Sequence, residues 1–269
     1  MMKEAPALAP RDSISAAIQA VTAQGRPALV GFLTAGFPTR RGFKENLAAV
    51  AAECDVVEIG VPFTDPMADG TTIQRASFAA LADGVTLPWI LEELRSLNPR
   101  HAAPTLLMSY LNPLLKFGLD KLPRAAAESG IAGFIVPDLP YEESFDLKRA
   151  LDSEGLALVQ MVTPVTPPER LSLLCREAKG FVYAVTMTGT TGTAKGSLAE
   201  LPRDVLEYMD RVKRCSKVPV CAGFGIRTRE QVARFAGHAD GVVVGSALVE
   251  VLERGEDIRA FLRSLRGDP

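Results

Sequence analysis

Eight short runs rich in β-branched residues recur along the chain, each followed by a stretch whose apolar residues fall at helical spacing. That recurrence restricts the fold more than any other property of the sequence, because strands alternating with helices build parallel sheets covered by helices. The candidate strands are Ala28–Thr34, Val56–Gly60, Thr105–Met108, Gly133–Val136, Ala157–Met161, Phe181–Val185, Val218–Ala222 and Gly241–Val244. Helical patterns fall near residues 41–52, 71–97, 119–129, 141–153, 168–177, 202–215 and 228–236, and a final helix covers roughly 246–265. A preliminary helix over 12–23, capped by Asp12 or Ser13, precedes the first strand. Eight strand–helix units are the count of a closed (β/α)8 barrel. An open doubly wound sheet gives the same local alternation. The unusual residues, however, fall after strand ends around the whole chain rather than at one crevice, which favours the barrel. The expectation is one α/β domain over residues 1–269, a TIM barrel with an extra N-terminal helix, in which residues 1–11 form a flexible tail.

Composition narrows the function classes. Apolar residues make up 47% of the 269, enough for a sizeable core, and 23% are charged, which argues against disorder. A net charge of −2 gives no electrostatic reason to expect nucleic acid or an acidic membrane surface as a partner. No apolar run is long enough to span a bilayer, and the first twelve residues, MMKEAPALAPRD, do not read as a signal sequence. Cys54, Cys175, Cys215 and Cys221 lack paired spacing and sit in or beside apolar segments, so they read as buried, reduced thiols. The expected setting is the cytoplasm. His101 and His238 have no metal-ligand spacing and read as solvated or capping residues; no metal site is expected.

One residue breaks the apolar pattern. In VVEIGVPFTDPMADG (56–70), Glu58 stands inside a run that a doubly covered parallel sheet would keep apolar. If Val57 and Ile59 face the helices, Glu58 points to the inner side. A second acid, Asp69, follows eleven positions later in a Pro- and Gly-bracketed loop able to fold back over it. Two carboxyl groups in unlike environments suit acid–base chemistry, one with a raised pKa and the other ionised. Each has a bland rival: Glu58 as a structural carboxylate satisfied by backbone donors or an arginine, and Asp69 as a cap for the helix that follows. Asp65 reads as a turn-former, and Asp138 is open between turn and ligand contact.

Glycines after the last three strands point to an anionic handle. The sixth strand runs into TMTGTTGTAKG, the seventh into Gly223-Phe-Gly225 and the eighth into Gly245-Ser246 at a helix start. Backbone N–H groups in such loops bind phosphate without a lysine, and the last two loops are the usual phosphate cradle of the barrel. The long Gly/Thr segment could order over substrate as a lid. Met108 and the phenylalanines read as core.

The segments LVGFLTAGFP (29–38), VVEIGVPFTDPMADG, LLMSYLNP (106–113), FIVPDLPYEES (134–144), FVYAVTMTGTTG (181–192), CAGFGIRT (221–228) and VVVGSALVE (242–250) resemble the tryptophan synthase α subunit family, in order and over nearly the whole chain. The resemblance implies a (β/α)8 barrel lyase that cleaves indole-3-glycerol phosphate to indole and glyceraldehyde 3-phosphate. It implies an αββα heterotetramer in which the β subunit, not this chain, carries pyridoxal phosphate. It implies Glu58 and Asp69 as catalytic acids, Phe32 against the indole plane, Tyr183 near the substrate and Thr191 in the lid. Gly192, Gly223, Gly225, Gly245 and Ser246 would hold the phosphate, and Pro62–Asp69 would touch the β subunit. Phe37, Thr71 and Met187 depart from the family pattern, at positions that bear on lid closure and its coupling to the partner. A free-standing lyase, an α-like activating subunit and another phosphate-binding barrel are the rival readings.

Overall fold

The computed structural model describes residues 8–98, 101–186, 203–223 and 225–266. Its sheet contains β1 (Ala28–Thr34), β2 (Val56–Gly60), β3 (Thr105–Met108), β4 (Ile131–Ile135), β5 (Ala157–Leu158), β6 (Gln160–Val162), β7 (Val182–Val185), β8 (Val220–Gly223) and β9 (Gly241–Val244). The order is β5-β4-β3-β2-β1-β9-β8-β7-β6, and neighbouring strands run parallel. The two ends of that order are consecutive in the chain and separated only by Val159, whose N–H donates to the Phe134 carbonyl at 2.9 Å. β5 pairs with β4, and β6 pairs with β7. Together they are therefore one barrel strand that changes neighbour at Val159, and the eight-stranded barrel closes through the main chain itself.

The helices are α1 (Pro10–Thr22), α2 (Phe43–Glu53), α3 (Thr71–Ala82), α4 (Leu87–Arg95), α5 (Leu111–Phe117), α6 (Leu122–Glu128), α7 (Phe145–Ser153), α8 (Pro168–Glu177), α9 (Arg203–Cys215), α10 (Arg229–Arg234), α11 (Ser246–Arg254) and α12 (Ile258–Arg266). Two helices expected as single pieces are broken. The stretch near 71–97 divides where Gly84 takes a positive φ of 76° and the Thr86 hydroxyl accepts from the Trp89 N–H to start α4. The last helix divides at Gly255, whose left-handed conformation closes α11; Asp257 then accepts from the Arg259 and Ala260 N–H groups to begin α12. α5 lies outside the expected helices. Its first N–H, on Leu111, donates to Asp138 Oδ1 at 2.9 Å, which makes Asp138 a cap supplied from the next βα loop. Pro10 opens α1 two residues before Asp12, so the last two residues of the expected tail are helical.

Interior strand residues are closed off completely: every residue of β1, β2 and β4 is buried. α1 covers the end of the barrel where the strands begin. Arg11 N–H donates to the Gly155 carbonyl at 3.0 Å, Ser15 Oγ reaches the Gly180 carbonyl at 2.5 Å, and Ile14 and Ile18 are fully buried beneath. The free cysteines Cys54, Cys175 and Cys221 are buried; Cys215 is half-buried. Among the described residues, no helix is long and apolar enough to cross a membrane. Truncating a side chain in this sealed end leaves a cavity that cannot fully collapse, so Ile14→Ala should lower stability by about 2–5 kcal/mol. Urea unfolding monitored by circular dichroism measures it, and a loss under about 0.5 kcal/mol would mean that α1 is not docked in solution.

Candidate active site

β1 and β2 run side by side with Phe32 opposite Glu58. The alternation of the strands turns Val57 and Ile59 outward to the helices and sends Glu58 into the barrel. Glu58 is fully buried, and neither of its carboxyl oxygens has a hydrogen-bond partner among the described residues. The structural role weighed for it, a carboxylate held by an arginine or by backbone donors, is thus not realised there. Burial, reinforced by the negative charge of Asp69, pushes the Glu58 pKa up to about 8. At neutral pH the group is an acid holding its proton.

Asp69 comes from the loop between β2 and α3. That loop is folded by its own polar contacts: Asp69 N–H donates to the Pro66 carbonyl at 3.1 Å, and Gln74 Nε2 donates to the Pro66 and Asp69 carbonyls at 3.3 and 3.0 Å. α3 starts from Gly70 without a side-chain cap, so Asp69 does not serve as one. Its carboxylate is half-buried and bonded to the Tyr110 hydroxyl. Burial raises its pKa to about 6 and the Tyr110 hydrogen bond opposes the rise, which leaves it mostly ionised at neutral pH. The pair therefore divides as acid–base chemistry requires, one carboxyl group protonated beside one that is charged.

Tyr110 is the residue that sequence reasoning missed. It follows β3, stacks on Phe63 with ring centroids 5.0 Å apart, and accepts from the Ala68 N–H at 2.9 Å. Its hydroxyl thus holds both the loop and the carboxylate at the loop's end. Nothing in the local sequence LLMSYLNP marks it, since its partners lie in a different loop.

Seven of the expected site residues line one cavity: Phe32, Glu58, Asp69, Tyr183, Gly225, Gly245 and Ser246. It encloses about 470 Å3 of empty space, part of it open to solvent, and Ile73, Met108 and Val243 complete the apolar wall. Phe32 is part of the core, as expected, and Met108 packs against it, and both also line the cavity. Gly223 is not among the lining residues. It lies beneath Tyr183, where an added Cβ would come within 2.2 Å of the phenol ring, so only glycine leaves room for that side chain. Gly60 does the same for Phe32, at 2.6 Å. Thr191, Gly192 and Met187 lie outside the described residues. Phe37 is buried, and Thr71 is the exposed first residue of α3. Neither histidine lines the cavity; His238 Nδ1 sits 2.7 Å from Asp210, and His101 is half-buried. Among the described residues, no three His, Cys, Asp or Glu side chains are grouped to hold a metal ion.

An inward acid on the second strand, an ionised acid in the loop after it and a glycine-lined rim after the last two strands form one arrangement. The family model described as tryptophan synthase alpha chain matches residues 18–265. The chain belongs to the tryptophan synthase alpha chain family. The alpha chain of Solidesulfovibrio magneticus is 43% identical over 251 residues, covering 93% of this chain and 96% of that protein. The alpha chain of Geobacter sulfurreducens is 43% identical over 249 residues, covering 90% and 92%. Among solved structures, Mycobacterium tuberculosis tryptophan synthase superposes with a TM-score of 0.86 at 35% identity, covering 94% of this chain and 96% of that one. The tryptophan synthase subunit alpha of Legionella pneumophila gives 0.83 at 32% identity, covering 95% and 97%. The chain is a TIM barrel of this family, and the family is that of a lyase in tryptophan biosynthesis.

The electrostatics of Glu58 also set a stability signature. Its folded pKa lies above the ordinary value of 4.5, so between about pH 4.5 and 8 the folded state binds more protons than the unfolded state. Stability from this group is present below the lower limit and is lost as pH rises through the upper one. Glu58→Gln removes that loss. Its melting temperature should match the wild type near pH 4.5 and exceed it by several degrees at pH 8.5; parallel curves at all pH values would show that Glu58 is not buried as an acid.

Proposed function

We propose that Glu58 and Asp69 carry out the retro-aldol cleavage of indole-3-glycerol phosphate to indole and glyceraldehyde 3-phosphate, the α reaction of tryptophan biosynthesis. The observation that carries this reading is the buried, unpartnered Glu58, protonated at neutral pH, facing the same cavity as an ionised Asp69.

The chemistry follows from those two protonation states. Cleavage needs the indole ring protonated at C3, its N–H held as positive charge develops, and the side-chain hydroxyl deprotonated. Glu58 gives its proton to C3, and the ring becomes indoleninium-like. Asp69 accepts a hydrogen bond from the ring N–H and stabilises that charge. Glu58, now a carboxylate, takes the proton of the hydroxyl on the carbon attached to C3. The C–C bond then breaks, its electron pair restores the indole ring, and the oxygen becomes the aldehyde carbonyl. Glu58 ends protonated, so the cycle closes without a cofactor in this chain. Phe32, held opposite Glu58, offers a face for the indole plane, and Tyr183 closes the cavity beside it. The phosphate is taken by main-chain N–H groups at Gly225, Gly245 and Ser246, the last two at the start of α11. Thr191 and Gly192 belong to the same reading as lid and phosphate contacts, and Gly223 supports Tyr183 beneath the substrate.

The same reading gives the chain a β subunit, in an αββα assembly whose pyridoxal phosphate lies in β, in the cytoplasm. The loop after β2 is the contact: Met67 in it is 76% exposed, an apolar side chain in water two residues from Asp69. A partner covering Met67 would restrain the loop that holds Asp69 and so link assembly to catalysis.

Indole release from indole-3-glycerol phosphate, with and without a β subunit, tests the assignment. Slow release alone and a large increase with the partner are expected; fast release alone would make the chain a free-standing lyase, and tight assembly without turnover would make it an activating subunit. Glu58→Gln should keep its fold and lose at least about 100-fold in kcat. Wild-type kcat/KM should follow a bell against pH. The acid limb, near pH 6, is protonation of Asp69; the alkaline limb, near pH 8, is loss of the Glu58 proton. A profile flat from pH 5 to 9 with full activity would exclude the pair.

A further inference from the structure

Glu250 is not among the described residues that line the cavity, yet it meets three segments that contribute to it. It lies on α11, one turn after Ser246, with its side chain 23% exposed. Its two carboxylate oxygens accept both terminal nitrogens of Arg227, at 2.7 and 2.8 Å. Arg227 is two residues beyond Gly225 in the loop after β8. The Thr72 hydroxyl, in the first turn of α3 and three residues after Asp69, donates to the same carboxylate at 3.3 Å. Arg254 lies 3.9 Å away on the same helix. The far end of the Gly225 loop is pinned separately, by a capping box in which Gln231 Oε1 accepts from the Arg227 and Thr228 N–H groups at 2.7 and 3.2 Å.

We propose that Glu250 is a positioning residue for the phosphate site: through its bidentate bond to Arg227 it locks the Gly225 loop against the start of α11, so that the N–H groups of both converge on one anion. This deepens the phosphate-ester reading given above and rests on it. The physical case has two parts. Backbone N–H groups bind an anion well only when their directions are fixed beforehand, and the planar fork of an arginine on a carboxylate fixes both distance and angle. Arg227 is also the cation two residues from Gly225. With both its terminal nitrogens given to Glu250, its charge is spent on the loop's geometry, which leaves the anion to the main chain.

A second ion pair supplies the control. Arg75 on α3 and Glu253 on α11 form an equally close bidentate pair, with nitrogen–oxygen distances of 2.7 and 2.7 Å, but it does not reach the loop after β8. It joins the same two helices without holding the Gly225 segment.

The experiment measures KM and kcat for indole-3-glycerol phosphate, together with the dissociation constant of inorganic phosphate by calorimetry, on the full chain. Glu250→Ala should raise both KM and the phosphate constant by about tenfold, with a much smaller change in kcat. Arg227→Met should do the same, and the double variant should be no worse than either single one. Glu250→Gln, which keeps the shape and one acceptor, should give a smaller rise and covers the case in which the alanine variant fails to fold. Arg75→Ala should leave both constants at wild-type values. The inference is overturned if Glu250→Ala and Glu250→Gln lower only the melting temperature, or if Arg75→Ala raises the two constants equally. Should the wild type bind phosphate but release no indole, the lyase assignment falls, and the phosphate constants of the variants still decide the role of Glu250.

Discussion

A carboxyl group sealed inside a barrel without a partner must keep its proton, and much of this structure is arranged around that requirement. An ionised Glu58 in its fully buried position would lack both water and a donor among the described residues, so burial drives it to the neutral form. The nearby charge of Asp69 adds to the effect, because two negative groups in one site repel. The consequence runs in both directions. Burial is the larger cause and the charge of Asp69 reinforces it, while a proton lost from Glu58 would in turn make Asp69 harder to ionise.

That dependence explains why the loop after β2 is built as it is. A carboxylate that tunes its neighbour must stay at a set distance, and a loop left to its own entropy would not hold it there. Tyr110 fixes it from outside by meeting a backbone N–H and the Asp69 side chain with one hydroxyl, while Gln74 ties the loop's carbonyls to the first turn of α3. Similar economy governs the aromatic walls. Phe32 and Tyr183 can stand in the cavity only because Gly60 and Gly223 on the adjacent strands β2 and β8 lack side chains. The size of the cavity is therefore set as much by what the neighbouring strands omit as by what lines it.

What could be seen in the sequence depended on whether a signal was local. Glu58 was legible because a charge within Val-Val-Glu-Ile contradicts its own neighbours, and the barrel was legible because strand–helix alternation repeats eight times. β1, β2, β3 and β9 fall on the expected residues for the same reason. Tyr110 and the pairing of Gly223 with Tyr183 were not legible, since each is a contact between segments that only the closed barrel brings together. The breaks at Gly84 and Gly255 carried local signals, a glycine followed by Thr-x-x or Asp-x-x, but unbroken apolar spacing across them favoured one long helix. Val159 gives no sequence signal at all: a strand that changes partner midway reads like any other strand.

The placement of charge at the opposite end of β2 completes the argument. Just before this strand begins, Asp55 accepts from the Leu29 N–H at 2.8 Å and pairs with Arg266 at 3.0 Å and Arg26 at 3.4 Å; Glu53 pairs with Arg263 at 2.9 Å and Arg259 at 3.6 Å. Three of those arginines come from α12, so the end of the chain is fastened to the start of the strand that bears Glu58. These are well-buried carboxylates with several partners each, the reverse of the condition of Glu58. Pairing at the closed end fixes the strand's register, which a slip of one residue would otherwise relieve by turning Glu58 out of the barrel. The acid stays inward because the strand is anchored where it enters, while its own carboxyl group is left without a partner among the described residues.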